Sequence, residues 1–341
     1  MKVGLFITNQ QTLDTDMVSA LDDQFAMVRL ARDCGWDSLF SGQHYLNEGN
    51  NKQLQTVPFL ARLAAEAGEM TIGLGILLLN LHNPVYTAET VATLDIIARG
   101  NFIFGVGLGY RDIEFDAFGV PKGERVKRLE EYLTLVERLW TEDRVSYEGP
   151  GCRLDNVHMN IRPVQKPRPP IWMAANSDPA VKRAARMADA WFINPHATSD
   201  TIRRQMAVYR AELEAAGKGA PRELPVVKEG DRTRNGWTLP AGEIPGLCQV
   251  GAGQSHARRY RLQPPARRVD RAAVHPWLAR GLLRRAQAYW EELGVNHIII
   301  RTHWVGMPLS TSLASMRLIS NELLPALQGV SPGGRLGTAP A

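Results

Sequence analysis

A few short stretches of this chain carry residue types that could do chemistry. The stretch "SGQHYL" places His44 behind an apolar run, and an imidazole there could hold or move a proton near neutral pH. The same histidine could equally serve packing. The stretch "GVGLGYRDIEFDAFG" spaces Gly105, Gly107 and Gly109 alternately along apolar sequence. Such spacing lets backbone approach a flat ring or a phosphate, or simply allows close packing at a strand end. It is not a dinucleotide fingerprint, because it does not open a helix after the first strand. The stretch "AANSDPAVKRAARMA" puts Asn176 and Ser177 ahead of a helix. Ser177 or Asp178 can cap that helix before Pro179, and free amides at its start also suit a phosphate. Asp112, Glu114 and Asp116 lack a His or Cys partner at ligand spacing, so they read as a solvated or helix-start acidic cluster rather than a metal site.

The elements that must position these residues follow from periodicity. Eight short apolar runs read as strands: "KVGLFIT", "DSLFSG", "TIGLGILLL", "NFIFGVGLG", "PPIWMAA", "DAWFINP", "ELPVVK" and "VNHIIIR". Amphipathic stretches lie between most of them. "FAMVRLARDCG" ends on Gly35, "PVYTAETVATLDIIARG" carries Pro84 in its first turn, and "RVKRLEEYLTLVERLW" aligns Leu129, Tyr132, Leu133, Val136 and Leu139. A last helix is expected over "STSLASMRLISNELLPAL". Alternating strands and helices predict one α/β domain, a (β/α)8 TIM barrel over residues 1–328, with a disordered tail at 329–341. Chemistry in such a barrel sits where strands end, which selects Phe6–Thr8, Ser41–His44, Leu79–His82, Gly107–Arg111, Ala174–Ser177, Phe192–Pro195 and Arg301–Trp304.

Composition narrows the class. The chain has 341 residues, 44% of them apolar, and no apolar run long enough for a membrane helix. It is expected to be soluble and cytoplasmic. Cys34, Cys152 and Cys248 form no paired motif, so neither a disulfide framework nor a zinc site is indicated. The net charge of +5 is local. Residues 231–287 hold eleven arginines, no lysine and three acids, so the rest of the chain is net negative. That pattern argues against a nucleic-acid surface, which usually mixes Lys with Arg and interleaves aromatics.

With these pieces in place, the chain resembles the luciferase-like, flavin-dependent monooxygenases, the family of bacterial luciferase and alkanesulfonate monooxygenase. The likeness rests on "CGWDSLFSGQHYL", "TIGLGILLLNLHNPVYTAETVATLDIIARGNFIFGVGLGYRDIEFDAFGV", "RLEEYLTLVERLWTEDRVSYEGP", "PVQKPRPPIWMAANSDPAVKRAARMADAWF" and "LGVNHIIIR". It spans roughly 1–228 and 288–328. The resemblance implies a barrel that binds FMN, or in some branches the deazaflavin F420, at its C-terminal mouth. In the oxygenases a separate NAD(P)H:flavin reductase supplies reduced FMN, and O2 forms a C4a-peroxyflavin that attacks a small organic substrate. Relatives act on aldehydes, sulfonates and terpenes, and many are homodimers. His44 then matches the active-site histidine. Phe6, Gln43, Gly75, Ile76 and Asn80 match the wall beside the ring, with a cis peptide expected at Gly75–Ile76. Gly107, Leu108, Gly109, Tyr110 and Arg111 match flavin and phosphate contacts, and Asn176 and Ser177 match the phosphate loop. Leu108 stands where luciferases carry a phosphate-binding arginine, and Arg111 is the nearby cation that could replace it.

Residues 231–287 depart from this pattern. The stretch "GAGQSHARRYRLQPPARR" has no hydrophobic period and contains Pro264 and Pro265. Shifting the degenerate codons of 243–257 by one base permits "KYRAYAKWGQDKAMP", which is family-like. The same shift over 272–282 permits "RFILGSPED", and the Trp277–Leu278 junction forces its glycine. The segment therefore reads as a compensated pair of frameshifts, with a divergent arginine-rich insertion as the competing reading; the frame resumes near "AYWEELG", and no native helix is expected from the shifted part. Three functions stay open at this point: an FMN-dependent monooxygenase, an F420-dependent oxidoreductase of the same fold, and a flavin-binding barrel impaired by the altered segment.

Overall fold

The computed structural model describes residues 1–47, 49, 51–149, 151–229 and 276–329. Eight parallel strands form its centre: β1 (Lys2–Phe6), β2 (Ser38–Ser41), β3 (Thr71–Leu74), β4 (Phe102–Val106), β5 (Ile171–Ala174), β6 (Ala190–Phe192), β7 (Pro225–Glu229) and β8 (His297–Arg301). Their order in the sheet is β6-β5-β4-β3-β2-β1-β8-β7. A parallel bridge between Ile193 and Val226 closes the ring, with Ile193 N–H donating to Pro225 O and Val227 N–H to Ile193 O. This is the (β/α)8 barrel expected from the alternation.

Ten helices are described: α1 (Met17–Asp33), α2 (Thr56–Ala67), α3 (Pro84–Ile97), α4 (Asp112–Ala117), α5 (Arg125–Thr141), α6 (Asp178–Met187), α7 (Ser199–Ala215), α8 (Pro276–Leu293), α9 (Leu309–Leu318) and α10 (Leu324–Gln328). Their ends follow local chemistry. Asp16 caps α1 by accepting from Val18 and Ser19 N–H, and Asn83 caps α3 ahead of Pro84. Leu129, Tyr132, Leu133, Val136 and Leu139 of α5 are all buried, as their spacing predicts. Two antiparallel ribbons were not anticipated, Gln10–Gln11 with Lys52–Gln53 and Val145–Gly149 with Cys152–Val157. No described helix is long and apolar enough to cross a membrane.

Three expectations differ from the structure in detail. The run "TIGLGILLL" is a strand only to Leu74; the next peptide bond, Gly75–Ile76, is cis as expected, and a 3-10 turn follows at Leu79–Leu81. The last helix is interrupted by a π turn at Ile319–Leu323. Pro325 supplies the cause, since its ring cannot sit against the carbonyl of Asn321 in a regular α-turn. Helix α8 begins at Pro276, inside the stretch where no native helix is expected, and Leu283, Ala286, Tyr289 and Leu293 bury its inner face. The rest of the anomalous segment and the tail beyond 329 lie outside the described residues.

Most core residues lie outside the strand ring, under the helices. Inside it, Phe40, Trp172, Phe192, Val227 and Ile299 fill the barrel, with Phe40 and Trp172 stacked at 5.2 Å. Below them lies a buried polar plug. Ser38 Oγ is 2.7 Å from His297 Nε2, and His297 Nδ1 is 3.0 Å from Glu223 Oε2, while Glu223 Oε1 pairs with Lys2. Gly4 makes the space, because a Cβ there would lie 2.2 Å from Ser38 Oγ. The Ser–His–Glu order resembles a hydrolytic triad. Ser38 is fully buried, however, and the Phe40 and Trp172 rings meet the imidazole edge-on, so no substrate can reach the hydroxyl.

The plug links folding to pH. Burial lowers the His297 pKa despite the opposing pull of Glu223, so the ring is held neutral, donating from Nδ1 and accepting from Ser38. Burial pushes the Glu223 carboxyl up, but hydrogen bonds from His297 and Lys2 outweigh it and leave the pKa at about 2, against an ordinary 4.5. A depressed carboxylate pKa stabilises the fold above the unfolded value, and that contribution is lost as pH falls from 4.5 toward 2. A histidine held neutral adds a penalty in the same direction below its ordinary 6.5. The Glu223→Gln variant is expected to lose on the order of 2 kcal/mol at pH 7 and to show a flatter acid limb. Denaturant melts between pH 7 and pH 3 check this; parallel pH profiles for both proteins would remove the plug from the account.

Candidate functional site at the C-terminal mouth

The strand ends bring most of the expected residues to one mouth. Phe6 and Ile76 are half-buried and pack on the aromatic core of the barrel, which gives the mouth an apolar floor. Gly75 lies between the Phe6 and Phe192 rings, and Gly107 lies against Ile76, where a Cβ would stand 2.2 Å from Ile76 Cδ1. Any larger residue at 107 would displace the floor. Gly109 turns at φ +71° against Leu78.

His44 is held by a carboxylate of the acidic cluster that reads in sequence as solvated or helix-start. Glu114 is fully buried, in the first turn of α4. Its Oε1 accepts from His44 Nδ1 at 3.1 Å, from Tyr45 N–H at 2.9 Å and from Arg111 Nη1 at 3.4 Å. Burial pushes the Glu114 carboxyl up, but these bonds outweigh it and its pKa falls below the ordinary carboxylate value. An ionised carboxylate only accepts, so His44 carries a proton on Nδ1. Tyr110, half exposed, stands edge-on to His44 at 5.8 Å. Asp112 and Asp116 are solvated as read; Glu114 is the exception, and its signal was Arg111 three residues earlier.

Arg111 is committed to the loop after β2. Its Nη1 donates to Tyr45 O at 2.8 Å and to Asn47 Oδ1 at 2.7 Å, and its Nη2 donates to Leu46 O at 3.0 Å. The guanidinium expected to replace a phosphate-binding arginine therefore clamps the segment that carries His44. Leu108 packs on the outer core. Gln43 accepts from Leu78 N–H at 3.0 Å and donates to Tyr45 Oη at 2.8 Å. Asn80 is fully buried in the 3-10 turn, and its side-chain amide has no hydrogen-bond partner among the described residues.

Asn176 and Ser177 lie exposed at the start of α6. Asn176 Oδ1 accepts from Asn194 Nδ2 at 2.5 Å. Ser177 occupies the N-cap position, but its side chain makes no capping hydrogen bond, and Pro179 follows. The first-turn amides of α6 are thus left for an external acceptor, and the helix dipole favours an anion there. Asp178 does not fill the role, because its carboxylate is turned to Arg204 and Gln205. The apolar floor, the tethered imidazole and the uncapped helix fit a flat ring bearing a phosphate. Among the described residues no group of three or more His, Cys, Asp or Glu is placed to hold a metal ion.

The chain belongs to the luciferase-like monooxygenase family, whose model matches residues 1–227. Over 168 residues it is 29% identical to an F420-dependent glucose-6-phosphate dehydrogenase of Microbacterium testaceum, covering 48% of this chain and 49% of that one. Across the first curated relatives the match spans 40% to 62% of their length. Among solved structures, the monooxygenase RslO1 of Streptomyces bottropensis superposes with a TM-score of 0.74 at 20% identity, over 95% of this chain and 99% of that one. The oxygenating constituent of the 3,6-diketocamphane monooxygenase of Pseudomonas putida, in complex with FMN, gives 0.58 at 17% identity, over 67% of each chain. At these identities the likeness to solved structures is one of fold.

Arg111→Met separates a clamp from a phosphate ligand. As a clamp, its loss leaves Glu114 and the carbonyls of 45 and 46 short of a donor, and the cofactor-free protein should lose on the order of 2 kcal/mol. An unchanged melt with FMN affinity reduced roughly tenfold, about 1.4 kcal/mol, would make it a phosphate ligand instead.

Proposed function

We propose that this chain is a monooxygenase that uses O2 and reduced FMN, delivered by a separate NAD(P)H:flavin reductase, on a small organic substrate. The observation that carries the reading is His44, tethered through Nδ1 to buried Glu114 beside an apolar floor and an uncapped helix start. Phe6 and Ile76, with Gly75 and Gly107 giving close approach, would carry the ring. The amides at the start of α6, with Ser177 and Asn176, would hold the phosphate. When bound, reduced flavin supplies the electrons for oxygen chemistry. The protein's own work is to keep the ring on a dry floor and to present His44 Nε2, whose ring is oriented from behind by Glu114 and Arg111.

Two further readings each have a specific support. The Microbacterium relative uses F420, which favours an F420-dependent oxidoreductase as the alternative. The family match stops at residue 227, just before the arginine-rich segment, which favours a flavin-binding barrel impaired by a compensated frameshift over 231–287. Resequencing the gene tests the frameshift directly, and an intact frame shared by close strains removes it.

The expected result is oxygen uptake with reduced FMN by a repaired-frame protein, with weaker flavin binding by the chain as it stands. Turnover with reduced F420 alone would select the other cofactor. Tight stoichiometric FMN binding by the unrepaired chain would end the impairment reading. Ser177→Asp tests the phosphate site: it places a charge at the α6 start and should weaken FMN binding at least roughly tenfold while sparing riboflavin. Equal losses for FMN and riboflavin would move the phosphate elsewhere.

A further inference from the structure

A cleft of about 270 Å³ lies beside the mouth, between α2, α3 and the segment that follows β2. Its walls include Pro58, Tyr86 and Thr90, and its inner end is a chain of hydrogen bonds through Gln43, Tyr45 and His82. A backbone amide sets the direction of that chain. Leu78 N–H donates to Gln43 Oε1, so the Gln43 amide nitrogen faces Tyr45 and donates to its hydroxyl. The hydroxyl proton is then available to His82 Nε2, 3.0 Å away. His82 accepts at Nε2, and its remaining proton sits on Nδ1, which has no hydrogen-bond partner among the described residues. Burial lowers the His82 pKa to about 4, in keeping with a neutral ring, and raises that of Tyr45, in keeping with an intact phenol. Phe118 packs on both rings, at 4.7 Å from Tyr45 and 5.7 Å from His82, and holds their orientation.

We infer that this cleft is a second ligand site, for a small uncharged molecule with an apolar body and one hydrogen-bond acceptor, such as a carbonyl, which His82 Nδ1–H would bind. The volume is just below the roughly 300 Å³ at which ordinary ligand pockets begin, so the occupant must be compact. A carboxylate is disfavoured, because a buried anion facing a neutral donor would have no countercharge in the wall. The site is coupled to the mouth through one residue. The Tyr45 side chain lines the cleft, while its backbone N–H donates to the same Glu114 oxygen that accepts from His44. Occupancy that shifts Tyr45 is therefore felt at the histidine, whatever cofactor the mouth takes.

The test uses cyclohexanone on the cofactor-free full chain, followed by imidazole NMR signals and by crystal soaking. Expected are a saturable shift of the His82 resonance, a smaller one at His44, and density in the cleft with the carbonyl oxygen on His82 Nδ1. Thr90→Trp, which fills the cleft from a half-buried position on α3, should abolish the shift, and His82→Phe should weaken binding at least roughly tenfold. Binding of equal strength in the Thr90→Trp protein, density only at the mouth, or a shift that never saturates would overturn the assignment. A failure of flavin to bind leaves these outcomes unaffected.

Discussion

One buried carboxylate organises the mouth. Glu114 is closed off from water, and a charge in that position is tolerable only if donors surround it. Its Oε1 has three, drawn from the loop after β2 and from the residue that opens α4, while Oε2 has none among the described residues. The charge therefore fixes the loop, the loop fixes His44, and the proton on Nδ1 follows. Arg111 completes the arrangement by taking the carbonyls of the same loop. Loss of any member leaves the others unpaired in a low-dielectric setting, so the group behaves as a unit.

The barrel divides its polar chemistry between its two ends. At the N-terminal end, Ser38, His297, Glu223 and Lys2 are satisfied by one another and sealed by aromatic rings. At the C-terminal end several groups lack a partner within the described residues, including Thr302 Oγ1, His303 Nδ1 and Trp304 Nε1, besides the amides that open α6. Both ends hold a histidine paired to a glutamate. The two pairs differ in access rather than residue type: the His297 side chain is 1% exposed, whereas the His44 side chain is 29% exposed.

Much of this was legible in the sequence, for stated reasons. All eight barrel strands were readable because fully buried strands are short apolar runs, and their even alternation with helices leaves few topologies. Helix α2 escaped although Phe59, Leu60, Leu63 and Ala67 share one buried face, and the two ribbons escaped because they are polar and short. His44 was visible as a lone histidine at a strand end. Glu114 was not, because its meaning depends on a contact spanning 70 residues, and the one local cue was Arg111 three residues earlier. Arg111 was noticed for its charge, but its task was invisible until the loop carbonyls were in place. The uncapped state of α6 was also hidden, since a serine ahead of a proline reads as a normal cap.

The closure between β6 and β7 has a mechanical consequence. Neighbouring strands elsewhere share between two and five registered pairs, whereas among the described residues this junction shows a single bridge. A hoop with one short weld concentrates its weakness there. If the barrel breathes, it should open at Ile193 and Val226 into a curved sheet, leaving the other seven junctions intact. Asn194, whose amide braces Asn176 at the start of α6, lies one residue from that weld. An opening at that bridge would therefore be felt at one wall of the mouth.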